Sequence, residues 1–523
     1  MHLTDRLSWG DDPDLAPFLD RAAAWAVDLR YRDLPASVRR AAVAQLTSTV
    51  GAAVWSLSHP LGSGIVAALG DDGEGATLVG GERLSPAAAA RGNAALSMAL
   101  DFDDTVLGGH TGHSSVFVPL AYAEATGADG RRVLVAQVAA NEVAARLASA
   151  AAIGPFRGQQ TAYVHAVGAA VARAVVEGDD AGMLAHALGA ALLQPPWPLE
   201  PPFLGSDAKV HSAADAVGTG LSAVDAARAG LTGAPRVVEA DGGFLAAFAD
   251  RPLPEFLDGL GERWHTRALT VKPVPGCAYV TAPVEAALAA RGRLDRGRTT
   301  VERVDVYGSL FTTEVDDRAA PYLDGPSSPV AALSFTVPYN VAVALADGEH
   351  TPRQVGERTD DAAVWELADR VVVHHDPAFT VAALESTVPV GAMLRRLGPA
   401  VLAYAAKTVG PLATLRHLPT LARFLRRRPL PTDLGAANKR MGARVAVTTT
   451  DGRTVSATVD HPSGFAGKPP EEIRAVAREK CRTGLAAAGL GDARARRRTD
   501  DLLSLPDAGT VSVAGLTGLE AAG

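Results

Sequence analysis

The chain gathers its chemically capable residues most densely between Asp101 and His113. Three carboxylates come first, in Leu100-Asp101-Phe102-Asp103-Asp104-Thr105, and two imidazoles follow in Gly109-His110-Thr111-Gly112-His113. Carboxylates beside histidines supply acid and base capacity near neutral pH. Solvated acids at a helix end are the plainer explanation of such a run, and the paired histidines and flanking glycines weigh against it. His110 and His113 have a spacing that two metal ligands can use. No further ligand cluster accompanies them, so no metal is expected. Lys209 opens Lys209-Val210-His211-Ser212 ahead of an alanine-rich helical pattern. A lysine at a helix entrance can hold a carboxylate and stabilise charge developing on it. Tyr339 is a phenol able to donate to an oxyanion or deliver a proton. Cys277 reads more simply as a buried thiol than as a nucleophile.

Helices must position most of these groups. Ser85 suits an N-cap, Pro86 a first helical position, and the alanines to Met98 a helix body,. The acids therefore stand where a helix runs out into a glycine-rich loop. Helical spacing recurs over Ala16 to Leu29, Val38 to Leu57, Val133 to Ser149 and Ala213 to Arg228,. Gln194-Pro195-Pro196-Trp197-Pro198 cannot be helical. The character changes near Trp264. Val301 to Tyr307 and Arg370 to His374 read as strands. Asp451-Gly452, between Arg444–Thr450 and Arg453–Val459, reads as a hairpin turn,. The fold class expected is mainly α: a large all-helical domain over residues 1–263 and a smaller α+β lid domain over 264–467. A helical segment, 468–523, returns to the first domain. Residues 381–431 form a basic helical insertion carrying Arg395, Arg396, Lys407, Arg416, Arg423 and Arg426 to Arg428. It is either a solvated decoration or a docking patch.

Composition narrows the function. The net charge of −8 argues against a general nucleic-acid binder,. Two cysteines rule out a disulfide framework,. No apolar run reaches membrane-spanning length, so no transmembrane segment and a cytoplasmic location are expected.

The DFDDT run, the stretch Val116-Phe117-Val118-Pro119 and the following Ala123-Glu124 resemble the MmgE/PrpD family, which includes 2-methylcitrate dehydratase and cis-aconitate decarboxylase. Other resembling segments follow in order: Lys209 with Ala229-Gly230-Leu231-Thr232-Gly233, Gly243-Phe244 with Phe248, Lys272-Pro273-Val274-Pro275-Gly276-Cys277, and Ser334 to Ala342 around Tyr339. The resemblance implies an active site between the helical domain and the lid. It implies Asp101, Thr105, His113, Lys209 and Tyr339 as catalytic residues. His113 is preferred over His110 by counting back from Val118-Pro119. Asp104, His110, Gln159, Gln160, Ser212, Lys272 and Cys277 are expected to bind substrate. A homodimer and no cofactor are implied as well.

Some positions depart from the family pattern. Gln159, Ser212, Ala278 and Thr281 stand where a cationic or protonatable group is usual. That loss points to a substrate less anionic than a tricarboxylate. The expected activity is a lyase-like dehydration of a small carboxylate or carbonyl compound through an enolate-like intermediate. Decarboxylation or epimerisation at the same site is the runner-up. A catalytically silent homologue that binds a partner through its basic insertion is the alternative of a different class.

Overall fold

A computed structural model describes residues 16–521 apart from 71–72, 155–161, 295–299, 388–389, 409, 417, 427–430 and 432. The fold is mainly α, with a smaller α+β part. The helix expected after Ser85 spans Pro86–Met98, and the Ser85 side chain accepts from Ala88 N. Asp129 caps Gly130–Ala150 in the same way, accepting from Arg132 N. These helices are alanine-rich and buried on nearly every face, so backbones come close,. One such close approach joins Ala36–Leu57 to Pro470–Ala487, near the end of the chain. A Cβ on Gly51 would lie 2.7 Å from Cys481 Cα, which leaves room for glycine alone. Trp55 Nε1 donates to the Lys480 carbonyl across the same contact. A late segment of the chain thus lies against one of its earliest helices.

The α+β part is built on a four-stranded sheet. Its order is Val371–His375, Val301–Gly308, Ala443–Thr449, Thr454–Val459, with the first pair parallel and the others antiparallel. Gly452 takes a left-handed φ of 82° in the turn of the hairpin. The helices Ala278–Arg291 and Val337–Asp347 cover the sheet through Val280, Val284 and Val341, against Val304, Val306, Val445 and Val447.

A separate two-strand ladder pairs Asp104–Val106 with Leu269–Val271, antiparallel, with Asp104 opposite Val271. It stitches the acid-rich loop to the segment that leads into the α+β part. The basic segment folds as short helices, among them Val390–Leu397 and Ala400–Thr408. Met393, Leu394, Leu397, Val401 and Phe424 join the main helical core. Lys407 pairs with Asp250, Arg396 with Glu255 and Arg423 with Glu385, so acids on its own and neighbouring segments meet part of its charge. Among the described residues, no helix is long and apolar enough to cross a membrane.

Candidate functional site

The site begins where Pro86–Met98 ends. Asp101 holds a left-handed φ of 50°, unusual for a residue with a side chain, and its N–H donates to Met98 O,. The turn delivers Asp101, Asp103 and Asp104 in quick succession, each buried. Ladder pairing then sets Lys272, the residue after Val271, beside Asp103. Lys272 Nζ donates to Asp103 Oδ1 at 2.6 Å and to the Asp101 carbonyl at 2.8 Å. It lies 3.4 Å from Asp101 Oδ1. Burial alone would pull the Lys272 ammonium down, but the carboxylates of Asp101 and Asp103 outweigh it and raise it above the ordinary lysine range,.

Lys209 arrives from the opposite side, at the entrance of His211–Arg228. Its Nζ is 2.8 Å from Asp101 Oδ1, but among the described residues it makes no hydrogen bond of good geometry. The ion pair with Asp101 engages one of its N–H groups and leaves the others, and Asp101 Oδ2, without a hydrogen-bond partner among the described residues. Burial raises the Asp101 carboxyl, yet Lys209 and Lys272 hold it below the usual carboxylate range. The rings of Phe335 and Phe203 face Lys209 Nζ at 4.7 and 5.3 Å. The α+β part thus reaches Lys209 through Phe335.

Asp103 organises both imidazoles. Its Oδ2 meets His110 Nδ1 and lies 3.2 Å from His113 Nε2. Against the burial that would raise it, His110 and Lys272 hold the Asp103 carboxyl well below its ordinary value. An ionised Asp103 can only accept, so His110 carries a proton on Nδ1. Its Nε2 has no partner among the described residues, and its side chain keeps 20% exposure. His113 is 1% exposed, with Nδ1 2.7 Å from Ser97 Oγ. His165 packs edge-on against His113, and burial lowers its imidazole well below the usual range. The nitrogens of His110 and His113 and one Asp103 oxygen lie within 4.8 Å of one another, a set that could hold a metal ion.

Asp104 points the other way. Its oxygens accept from Gln45 Nε2 at 2.7 Å and Thr49 Oγ1 at 3.0 Å, and burial raises its carboxyl. Gln45 continues into a buried network with Thr111, Gln137 and Asn141. Thr105 Oγ1 accepts from Lys439 Nζ at 2.9 Å. Cys277 N–H donates to Ser334 O, and burial raises its thiol to about 11, so it stays protonated at neutral pH. Ser212 Oγ donates to the Lys209 carbonyl at 2.7 Å.

Residues 20–257 match the MmgE/PrpD N-terminal domain and residues 274–394 match the MmgE/PrpD C-terminal domain. The chain belongs to the MmgE/PrpD family. A relative, the cis-aconitate decarboxylase of Aspergillus terreus (strain NIH 2624 / FGSC A1156), is 28% identical over 389 residues, covering 68% of this chain and 78% of that protein.

In this MmgE/PrpD chain, Asp101, Thr105, His110, His113, Lys209, Lys272 and Cys277 come together. Tyr339 stands apart from that group. Its hydroxyl donates to Gln354 O at 2.9 Å and its ring packs against Trp365. Gln159 and Gln160 lie outside the described residues. Ala278 packs with Met441 and Phe465. Thr281 is buried, and its hydroxyl has no partner among the described residues. Sequence reasoning missed two buried lysines, Lys439 and Lys480, which approach Thr105 and Phe102 from the C-terminal third of the chain. No local motif marks either one.

Proposed function

We propose that this chain is a lyase that dehydrates a small hydroxy-carboxylate through an enolate-like intermediate, using its own side chains as acid and base. The observation that supports it most is the Asp103–His110 pair, joined through Lys272 and Asp101 to Lys209. His110 Nε2 carries a lone pair and takes the proton α to the substrate carboxylate. The electron pair left on carbon enters the carboxylate as an enediolate, whose charge the unspent N–H groups of Lys209 stabilise. The β C–O bond then breaks, and His110 returns its proton to the departing hydroxyl, which leaves as water. Register with the family motif favours His113 for this work. We assign it to His110, because His113 has neighbours at both ring nitrogens and acts as a positioning residue through Asp103. Tyr339 takes no part in this reading.

Decarboxylation is the second reading, favoured by the similarity to a cis-aconitate decarboxylase. The C–C bond to a carboxylate breaks, carbon dioxide leaves, its electron pair passes into the remaining conjugated acid, and protonated His110 delivers a proton to carbon. The homodimer implied by the family resemblance belongs to the same proposal, and light scattering on the purified chain tests it. Proton NMR in deuterated water, with a panel of hydroxy and unsaturated acids, tests the chemistry. Exchange of the α-proton with formation of an unsaturated product supports dehydration, and release of carbon dioxide supports the second reading. A folded protein that does neither across the panel is a silent homologue.

A further inference from the structure

We propose that Lys439 and Thr105 form a second carboxylate subsite, so that the substrate is at least a dicarboxylate; this rests on the lyase reading above. Lys439 is 3% exposed, and its Nζ donates to the neutral Thr105 hydroxyl. Among the described residues no carboxylate lies within ion-pair distance of it. Its Nζ also faces the Phe465 ring, 5.3 Å from the ring centre. An ammonium buried without a counter-charge is costly unless something supplies one.

The neighbouring acids do not supply it. Asp103 is held by Lys272 and His110, Asp101 by Lys209 and Lys272, and Asp104 by Gln45 and Thr49. Nor is the position accidental. Lys439 N–H donates to Ala466 O at 2.9 Å, and Ala466 N–H donates to Thr270 Oγ1 at 3.1 Å. Thr270 is the partner of Thr105 across the two-strand ladder. Backbone and ladder together fix Lys439 over Thr105.

Two donors remain open there. Lys439 keeps two N–H groups, and Thr105 accepts from Lys439 while its own hydroxyl hydrogen donates to no described group. A carboxylate has two oxygens to accept from such a pair. Phe465 also packs on Ala278, one of the positions where a cation was expected and is missing, so Lys439 restores charge to that neighbourhood. Burial, and then Lys272, lower the Lys439 ammonium to about 8, against smaller upward pulls from the carboxylates of Asp103 and Asp104. An anion seated on it therefore draws a proton on at mildly alkaline pH.

Calorimetric titration of the full chain with succinate and with acetate tests the subsite. In the wild type, succinate should bind ~10-fold or more tightly than acetate. Near pH 8, its binding should take up protons, seen as a heat that varies with the buffer's ionisation enthalpy. In Lys439→Met the succinate preference should collapse and the proton uptake should vanish. Lys439→Gln should behave alike, and thermal melting reports that each variant is folded. A wild type that binds succinate no more tightly than acetate, or folded variants that keep the preference and the proton uptake, overturns the subsite. Turnover of a hydroxy-monocarboxylate as fast as its dicarboxylate counterpart also overturns it, and leaves the lyase reading standing. A Lys439-dependent succinate preference without any α-proton exchange or carbon dioxide release keeps the subsite and removes the lyase reading.

Discussion

Lys272 Nζ lies 2.6 Å from Asp103 Oδ1, and the two side chains are 0% and 2% exposed. One lysine thereby binds the carboxylate that orients both imidazoles. It also touches Asp101, the partner of Lys209. Lys272→Met should leave two buried carboxylates short of a counter-charge, at a cost of about 3–5 kcal/mol. Urea denaturation measures it. The pH dependence has a definite sign. Asp103 is depressed in the folded state, so its contribution is present above the unfolded carboxylate value and is lost as pH falls through the folded one,. Wild-type stability should decline below about pH 4, and Asp103→Asn should flatten that acid limb.

The two histidines should separate kinetically. His110→Asn removes the free nitrogen and should lower kcat by ~10²-fold or more, the range typical of a lost acid–base group. His113→Asn should cost less, because Asp103 still holds His110. Steady-state kinetics of both variants, on whichever acid shows α-proton exchange, decides the ranking. A larger loss from His113→Asn would return the acid–base role to it.

Local chemistry made much of the fold legible. Ser85 and Pro86 start their helix where cap and ring geometry demand, and Asp451-Gly452 turns the hairpin. Both signals are short-range, so a few adjacent residues carry them. The ladder that joins Asp104–Val106 to Leu269–Val271 is of another kind. Three-residue strands leave no periodicity, and their pairing spans more than half the helical region. Without that ladder the closeness of Lys272 to Asp103 cannot be read.

The site divides the same way. Asp101, Thr105 and Lys209 stand out by motif, and their company is visible in the family register. Lys439 and Lys480 carry no such mark, because a lysine in a polar loop or on an amphipathic helix reads as solvated. Burial by distant elements gives them their character, so the inference of a charge-depleted site, drawn from Gln159, Ser212, Ala278 and Thr281, left these two cations out. Phe335 belongs to the motif around Tyr339, yet its ring, rather than the Tyr339 phenol, meets Lys209.

Gly112 stands at the start of Gly112–Thr126, where a Cβ would fall 1.9 Å from Asp104 Oδ1 and 2.8 Å from Thr49 Oγ1. Neither neighbour can yield freely, since both belong to the buried Gln45 network. Gly112→Ala should therefore destabilise the chain by about 1–3 kcal/mol, as overpacking does. It should also displace His110 and His113, which flank it. A melting curve and a kcat measurement on the same sample check both effects. An alanine variant with wild-type melting and turnover would mean that the loop relaxes without cost.

Lys480 provides a stability test independent of any substrate. Its Nζ donates to Phe102 O at 2.7 Å and Ser48 Oγ at 2.9 Å, above the Phe102 ring. Among the described residues no carboxylate reaches it. Burial is the largest influence and brings its ammonium down to about 7, with Lys272 adding to the fall and Asp103 and Asp104 opposing it. The unfolded chain holds this proton up to roughly pH 10.4. Between the two values the unfolded state binds more protons, so folding stability should rise with pH across that window. Below the folded value both states are charged and the full penalty is present. Lys480→Met abolishes the linkage and leaves the Phe102 carbonyl unpaired, at a cost of ~1–3 kcal/mol. Relative to wild type, the variant should fare best at low pH and steadily worse as pH rises. Lys439 contributes a slope of the same sign to both proteins and cancels in the difference. Urea midpoints of the two proteins, taken at intervals from about pH 6 to about pH 10, give that difference directly. Parallel curves would show that Lys480 keeps its proton in the folded chain, and would remove the burial argument for it.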